Sequence, residues 1–201
     1  GGLHKKFGVE PDMAMFGKAL GNGYAVTGVI GKKEIMQAAQ KTFISSTFWT
    51  ERIGSAAALA TLDVMEREES WKTITATGTK ITERWKQLGE KYDFKIQTGG
   101  LPSLTWFSIQ SNNWLAYKTF ISQEMLKKGI LASNLVYVSI AHKQPEIDRY
   151  FHELEILFQK IKPCRKWNYK KNKTLKEKKK NLHLILKNLN RLLKQIKIFL
   201  I

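Results

Sequence analysis

Cysteine is almost missing from this chain. Cys164 is alone among 201 residues, so no intramolecular disulfide can form, and the usage fits a reducing compartment, the cytoplasm. No run of about 18 apolar residues occurs, so neither a membrane-spanning helix nor a membrane partner is expected. The chain does not open on a charged region followed by an apolar stretch, the mark of a secretory leader. Acidic residues are scarce too, with 17 against 34 lysines and arginines and a net charge of +17. Such a surplus suggests nucleic acid, but its placement argues otherwise. From Cys164 onward 13 basic residues face one acid, Glu177, which leaves 21 basic against 16 acidic residues in the rest. The basic character belongs to an appendage, and a nucleic-acid partner is not expected for the main body.

What is present reads as alternating helix and strand. Residues 1–12 are loop-like. Residues 13–20 read as a short buried strand ending at Lys18, and 25–30 as a second strand closed by Gly31. Residues 33–40 suggest a short helix and 42–52 irregular chain. Residues 55–68 are rich in alanine and leucine at helical spacing. Residues 71–92 carry Ile74, Ile81, Trp85 and Leu88 on one stripe of a long helix. Strands follow at 94–97 and 103–109, separated by the turn Gly99-Gly100-Leu101-Pro102. A helix over 115–128 stops at Gly129. Short strands are expected at 130–131 and 136–140, and a last helix over 145–161 opens on Pro145.

The tail changes character. Lys, Asn, Leu and Ile make up 28 of its 38 residues. Its apolar positions fall on one helical stripe, which suits a basic amphipathic helix for an anionic membrane surface or for nucleic acid. The same four residue types are also what A+T-rich DNA encodes in almost any frame, so 164–201 reads equally as non-native or frameshifted sequence.

The chemistry centres on Met13-Ala14-Met15-Phe16-Gly17-Lys18, followed by Gly21-Asn22-Gly23. A phosphate-binding P-loop is excluded, because Ala19 stands where Ser or Thr is needed and Asp12 where the first glycine is needed. A dinucleotide-binding G-x-G-x-x-G is excluded by Val26. Two explanations remain for the lysine. Its stem packs while its amine reaches water, or an apolar site keeps the amine unprotonated so that it attacks a carbonyl. The second is the chemistry of enzymes that use pyridoxal phosphate, and glycines beside the lysine would let backbone approach a flat cofactor.

Phe7-Gly8-Val9-Glu10-Pro11-Asp12, then Phe16-Gly17-Lys18-Ala19-Leu20-Gly21-Asn22-Gly23-Tyr24, resembles the lysine region of the class III (subgroup II) aminotransferases, the family that includes glutamate-1-semialdehyde aminomutase. The resemblance continues through Ser45-Ser46-Thr47-Phe48 and the helix Ala56-Ala57-Ala58-Leu59-Ala60-Thr61-Leu62-Asp63-Val64-Met65-Glu66. It covers about 160 residues. It implies an α/β chain of the fold type I pyridoxal-phosphate transferases. Residues 1–94 would be the C-terminal part of the cofactor-binding large domain, 95–163 a small α+β domain, and 164–201 the lysine-rich tail. Lys18 then matches the lysine that holds pyridoxal 5'-phosphate as a Schiff base and moves the substrate α-proton. Thr47 matches the threonine that binds the cofactor phosphate, in relatives from the neighbouring subunit of a homodimer. A small-molecule amino donor and a carbonyl acceptor are implied, and no metal.

The chain also departs from the family. Trp49-Thr50-Glu51-Arg52 replaces the usual Gly-Gly-Asn-Pro. Glu51 and Arg52 would either contact substrate or form a surface pair of little energetic weight. The resemblance places the first residue just after the family's Asp-Glu pair, whose Asp partners the pyridine nitrogen. The implied activity is amino transfer, with the intramolecular shift of an aminomutase as its variant. An inactive remnant, or a binding module working through the basic tail, is the alternative of another class.

Overall fold

The computed structural model describes residues 2–163. The expectations for the tail, including Cys164 and its basic helix, lie outside the described residues. The chain divides into two compact units between Thr73 and Ile74.

The first unit opens on a single helical turn, α1 (Leu3–Lys6), where loop was expected. Strands β1 (Met13–Phe16) and β2 (Gly28–Gly31) then pair antiparallel, with Met13 opposite Gly31 and Phe16 opposite Gly28. Asp12 fastens the open end of this hairpin. Its carbonyl accepts the Lys32 N–H at 2.9 Å and its carboxylate meets the Lys32 ammonium at 2.6 Å. The expectation of a buried strand is not met. Met13 is 50% and Met15 79% exposed, and Ala14 and Phe16 on the other face are only partly buried, because a two-stranded sheet has too little packed against it in this unit to cover either face fully. The strand also ends earlier than residue 20, since Lys18–Leu20 turns as one 3-10 turn. A short helix α2 (Lys33–Met36) runs into a 3-10 turn at Gln37–Lys41. After irregular chain comes α3 (Ile53–Arg67), two residues earlier than its alanine-rich stretch suggests.

Helix α4 (Ser70–Tyr92) begins in the first unit and continues into the second. The sequence puts the domain boundary after this helix, at 94/95. The structure divides within it, because Ile81, Trp85, Leu88 and Tyr92 are buried in the second unit's core. Their spacing is the helical stripe that faces a core.

The second unit sets α4, α5 (Trp114–Lys127) and α6 (Gln144–Ile161) with an antiparallel sheet of β3 (Ile96–Leu101), β4 (Leu104–Ile109) and β5 (Leu135–Tyr137), in the order β3-β4-β5. Central strand β4 alternates, burying Thr105, Phe107 and Ile109, as a strand with one face on the core must. Trp85 and Phe107 pack at 4.8 Å between ring centres. Phe158, fully buried, meets Phe94 edge to face at 5.5 Å. Polar groups tie α4 to α6. The Trp85 indole N–H donates to Tyr150 Oη at 3.0 Å, and Tyr92 Oη donates to Glu155 at 2.9 Å. Arg84 meets Asp148 at 2.5 Å while lying over the Phe151 ring. Gly78 allows α4 to touch the hairpin, since a Cβ there would stand 1.7 Å from the Pro102 carbonyl oxygen.

Two expected strand segments are used otherwise. The Ile130 N–H donates to the Met125 carbonyl and the Gly129 N–H to Leu126, the 6→1 and 5→2 pattern that closes a helix. Residues 130–131 therefore finish α5 instead of joining the sheet. Likewise the Phe94 N–H is taken by the Gly89 carbonyl at the end of α4, so β3 starts at Ile96. Among the described residues no helix is long and apolar enough to cross a membrane.

Candidate active site

The first unit holds a cleft of about 580 Å³, bordered by Lys18, the segment Tyr24–Thr27, Ser46, Phe48, Trp49, Glu51, Gly54 and Ser55. Three stretches of chain build it. β1 delivers the lysine, the turn after it supplies one wall, and the loop entering α3 supplies the other.

Lys18 follows β1 with only Gly17 between them and is exposed. Its backbone is left-handed, with φ of +50°, where a side chain with a Cβ is disfavoured. Strain of this kind needs surrounding structure to hold it and concentrates at functional positions. Here the Leu20 N–H donates to the Gly17 carbonyl at 3.1 Å and the Tyr24 N–H to that of Gly21 at 3.1 Å. These bonds fold 17–24 into two consecutive turns. Asn22 and Gly23 are also at positive φ, so the glycine-rich stretch first of all makes the second turn. Among the described residues the Lys18 ammonium makes no ion pair. Its amine is therefore free to meet a ligand. The described residues do not enclose it in the apolar site that the sequence suggested.

Gly54, on the first turn of α3, is buried. A Cβ there would lie 2.6 Å from the Ala25 carbonyl oxygen and 3.1 Å from Val26 Cβ. Only glycine lets α3 come this close, and this contact joins the lysine turn to the α3 entrance.

Thr47 sits on an exposed turn between two residues that border the cleft, Ser46 and Phe48. It is not itself part of that border. The turn is held from both sides. Ser46 Oγ accepts the Phe48 N–H at 3.2 Å, and the Phe48 carbonyl accepts the Glu51 N–H at 3.1 Å. So Lys18 and the threonine loop meet at one cleft, with Thr47 exposed and outside its border.

Glu51 does what neither sequence-based alternative supposed. Its carboxylate accepts the Ile53 N–H at 2.6 Å and the Gly54 N–H at 3.0 Å. It therefore caps α3, offsetting the unpaired N–H groups and positive end of the helix. No ion pair joins it to Arg52 among the described residues. An acid two residues before a helix start is a legible cap signal. It is hidden here because the alanine-rich pattern places that start at Ser55.

The residue range 3–138 matches the family model described as aminotransferase class-III. The chain is 36% identical over 119 residues to the 3-aminobutyryl-CoA aminotransferase of Cloacimonas acidaminovorans (strain Evry), covering 59% of this chain and 29% of that protein. It is 24% identical over 178 residues to the glutamate-1-semialdehyde 2,1-aminomutase of Methanosphaera stadtmanae, covering 80% of this chain and 42% of that protein. Among solved structures, the PLP internal aldimine form of the Sphingopyxis sp. MTA144 FumI protein superposes with a TM-score of 0.72 at 19% identity, over 79% of this chain and 39% of that one. The described fold is thus that of part of a fold type I transferase. The chain spans less than half the length of these relatives.

Proposed function

The chain belongs to the class-III aminotransferase family, and on that footing we propose that it supplies the lysine-bearing part of a pyridoxal 5'-phosphate enzyme. The enzyme moves an amino group from a small-molecule donor to a carbonyl acceptor. The observation that carries this reading is the place of Lys18. It stands at the rim of a 580 Å³ cleft, on a left-handed turn one residue past a strand, in the motif whose resemblance to the family implies a cofactor lysine.

The residues present suit a flat, phosphorylated aldehyde. The cleft offers an amine, the aromatic rings of Phe48 and Trp49, and hydroxyls on Thr27, Ser46 and Ser55. When bound, the pyridoxal ring would withdraw electrons from the carbon that loses its proton. Lys18 would hold the cofactor through its Nζ, and its free amine would take the substrate α-proton and return it as general base and acid. Phe48 and Trp49 offer ring faces along one wall. An intramolecular amino shift, the activity named for the aminomutase relative, would call on the same lysine.

Thr47 binds phosphate in this reading. Its exposure outside the border of this chain's own cleft is compatible with its serving the site of a second protomer, as the resemblance implies, and hence with a homodimer. The small domain of the enzyme, expected over residues 95–163, would lie within the second unit. A cytoplasmic location belongs to the same reading.

Trapping tests the lysine. The full chain is incubated with pyridoxal 5'-phosphate, reduced with borohydride and mapped by peptide mass spectrometry. The expected label lies on Lys18 in preference to other exposed lysines, and Lys18→Ala removes it while the remainder is unchanged. A label spread evenly over the lysines and insensitive to Lys18→Ala would overturn the assignment.

A further inference from the structure

The second unit has a cavity of its own, of about 680 Å³. It lies among α4, the end of α5, strand β5 and the first turns of α6, and Ile81, Ile130, Leu135 and Ile147 make its walls apolar. Three polar groups on its border have hydrogen-bonding capacity to spare. Tyr150 Oη accepts the Trp85 indole N–H at 3.0 Å, yet its own O–H meets no acceptor among the described residues. Tyr150 is half-buried as a residue, and its phenol end is the desolvated part. A donor in such a place calls for a partner. Arg149 gives one N–H to the Lys128 carbonyl at 2.6 Å, and it makes no ion pair among the described residues. His142 Nδ1 accepts the Ser139 N–H at 3.0 Å. That bond puts the proton of the neutral ring on Nε2, a further donor without an acceptor among the described residues.

We propose that this cavity binds a monocarboxylate with a long apolar body, its carboxylate held by Arg149 with Tyr150 and His142 as further donors. Charge selects the head. All three groups donate, and a guanidinium with free N–H groups suits a carboxylate in shape as well as charge. Glu146 also borders the cavity and opposes a second negative charge, which sets phosphates and dicarboxylates aside. Volume and lining select the body. The cavity is within the range usual for small-molecule sites, about 300–1,000 Å³. A short oxo or amino acid would leave most of its apolar wall wet, whereas each further methylene buried there adds to binding. Every residue named here belongs to the second unit, so the site is built without Lys18.

The test is a titration of the full chain with decanoate, read by the indole N–H resonance of Trp85 in nuclear magnetic resonance spectra. That N–H donates to Tyr150 Oη, so it reports on this cavity and not on apolar surface elsewhere. Decanoate should shift it saturably. Decanol, which keeps the body without the charge, and acetate, which keeps the charge without the body, should each bind at least about tenfold more weakly. Arg149→Met keeps an unbranched apolar stem at an exposed position, where the fold does not depend on the charge. It should weaken decanoate about tenfold or more and leave decanol unchanged. A Trp85 signal that ignores decanoate would overturn the proposal, even if the fatty acid bound elsewhere on the chain. So would decanol binding as tightly as decanoate, or an Arg149→Met variant that holds decanoate as wild type does.

Discussion

At the scale of single residues, the two sites of interest are held in opposite ways. Lys18 keeps a strained left-handed backbone on an exposed turn, with its amine unpaired among the described residues. Tyr150 is held by burial. Burial pushes its phenol well above the usual tyrosine range, although the Trp85 indole bond draws it the other way. A phenol whose folded pKa is raised contributes stability that is present below the ordinary tyrosine value of about 10 and declines above it. Its oxygen also accepts the N–H of Trp85, which has no exposed surface. Tyr150→Phe therefore strands a buried donor, and urea unfolding should show a loss of about 1–3 kcal/mol. The turn that carries Lys18 was legible in the sequence because Gly21-Asn22-Gly23 announces it. The pairing of Trp85 with Tyr150 was not, since 65 residues separate them and nothing local marks an indole that needs an acceptor.

At the scale of elements, α4 and α6 are joined by ion pairs as well as by rings. Glu155 is held below the usual carboxylate range, first by the Lys91 bond and then by the Tyr92 hydroxyl. Asp148 is lowered likewise by Arg84 and then Gln144. A depressed folded pKa means stability present above the unfolded value near 4 and lost as pH falls through the folded value. Acid unfolding of the second unit should therefore be shallower in Glu155→Gln than in wild type, measured by circular dichroism between about pH 5 and 2. The helices themselves were readable, because α4 and α6 carry long apolar stripes: Ile81, Trp85 and Leu88 in one, Ile147, Phe151, Leu154 and Phe158 in the other. Their neighbours were less so. The apolar pair Ile130-Leu131 looks like strand, but the Ile130 amide is consumed in ending α5. Gly99-Gly100 looks like turn, yet both pair within the hairpin, opposite Trp106 and Thr105. The indole of Trp106 lies where a Cβ on Gly99 would be. Local composition cannot reveal a glycine that makes room for a ring across the strand. In the cleft, the irregular chain before α3 was legible and the α3 cap was not, because capping depends on where a helix begins to within a residue.

At the scale of the whole molecule, burial is unequal. Every buried apolar side chain among the described residues lies in the second unit, from Ile81 to Ile161. In the first unit only Gly21, Gly54 and Ser70 are buried, while Phe7, Met15, Phe43 and Trp49 stand more than half exposed. Hydrogen exchange on the full chain should divide accordingly. The amides of α5 and α6 should exchange at least about 100-fold more slowly than those of β1 and β2, since few buried contacts resist local opening in the hairpin. Uniform protection across both units would contradict this division. The consequence reaches into heredity. Substitutions around Lys18 disturb no buried apolar core of their own, whereas those in the second unit meet a close-packed interior at once. Selection for a chain that merely folds would preserve Trp85 and Phe158 while leaving the lysine turn to drift. Only selection for chemistry keeps Lys18 in place, so its retention across descendants of this gene would be a record of use.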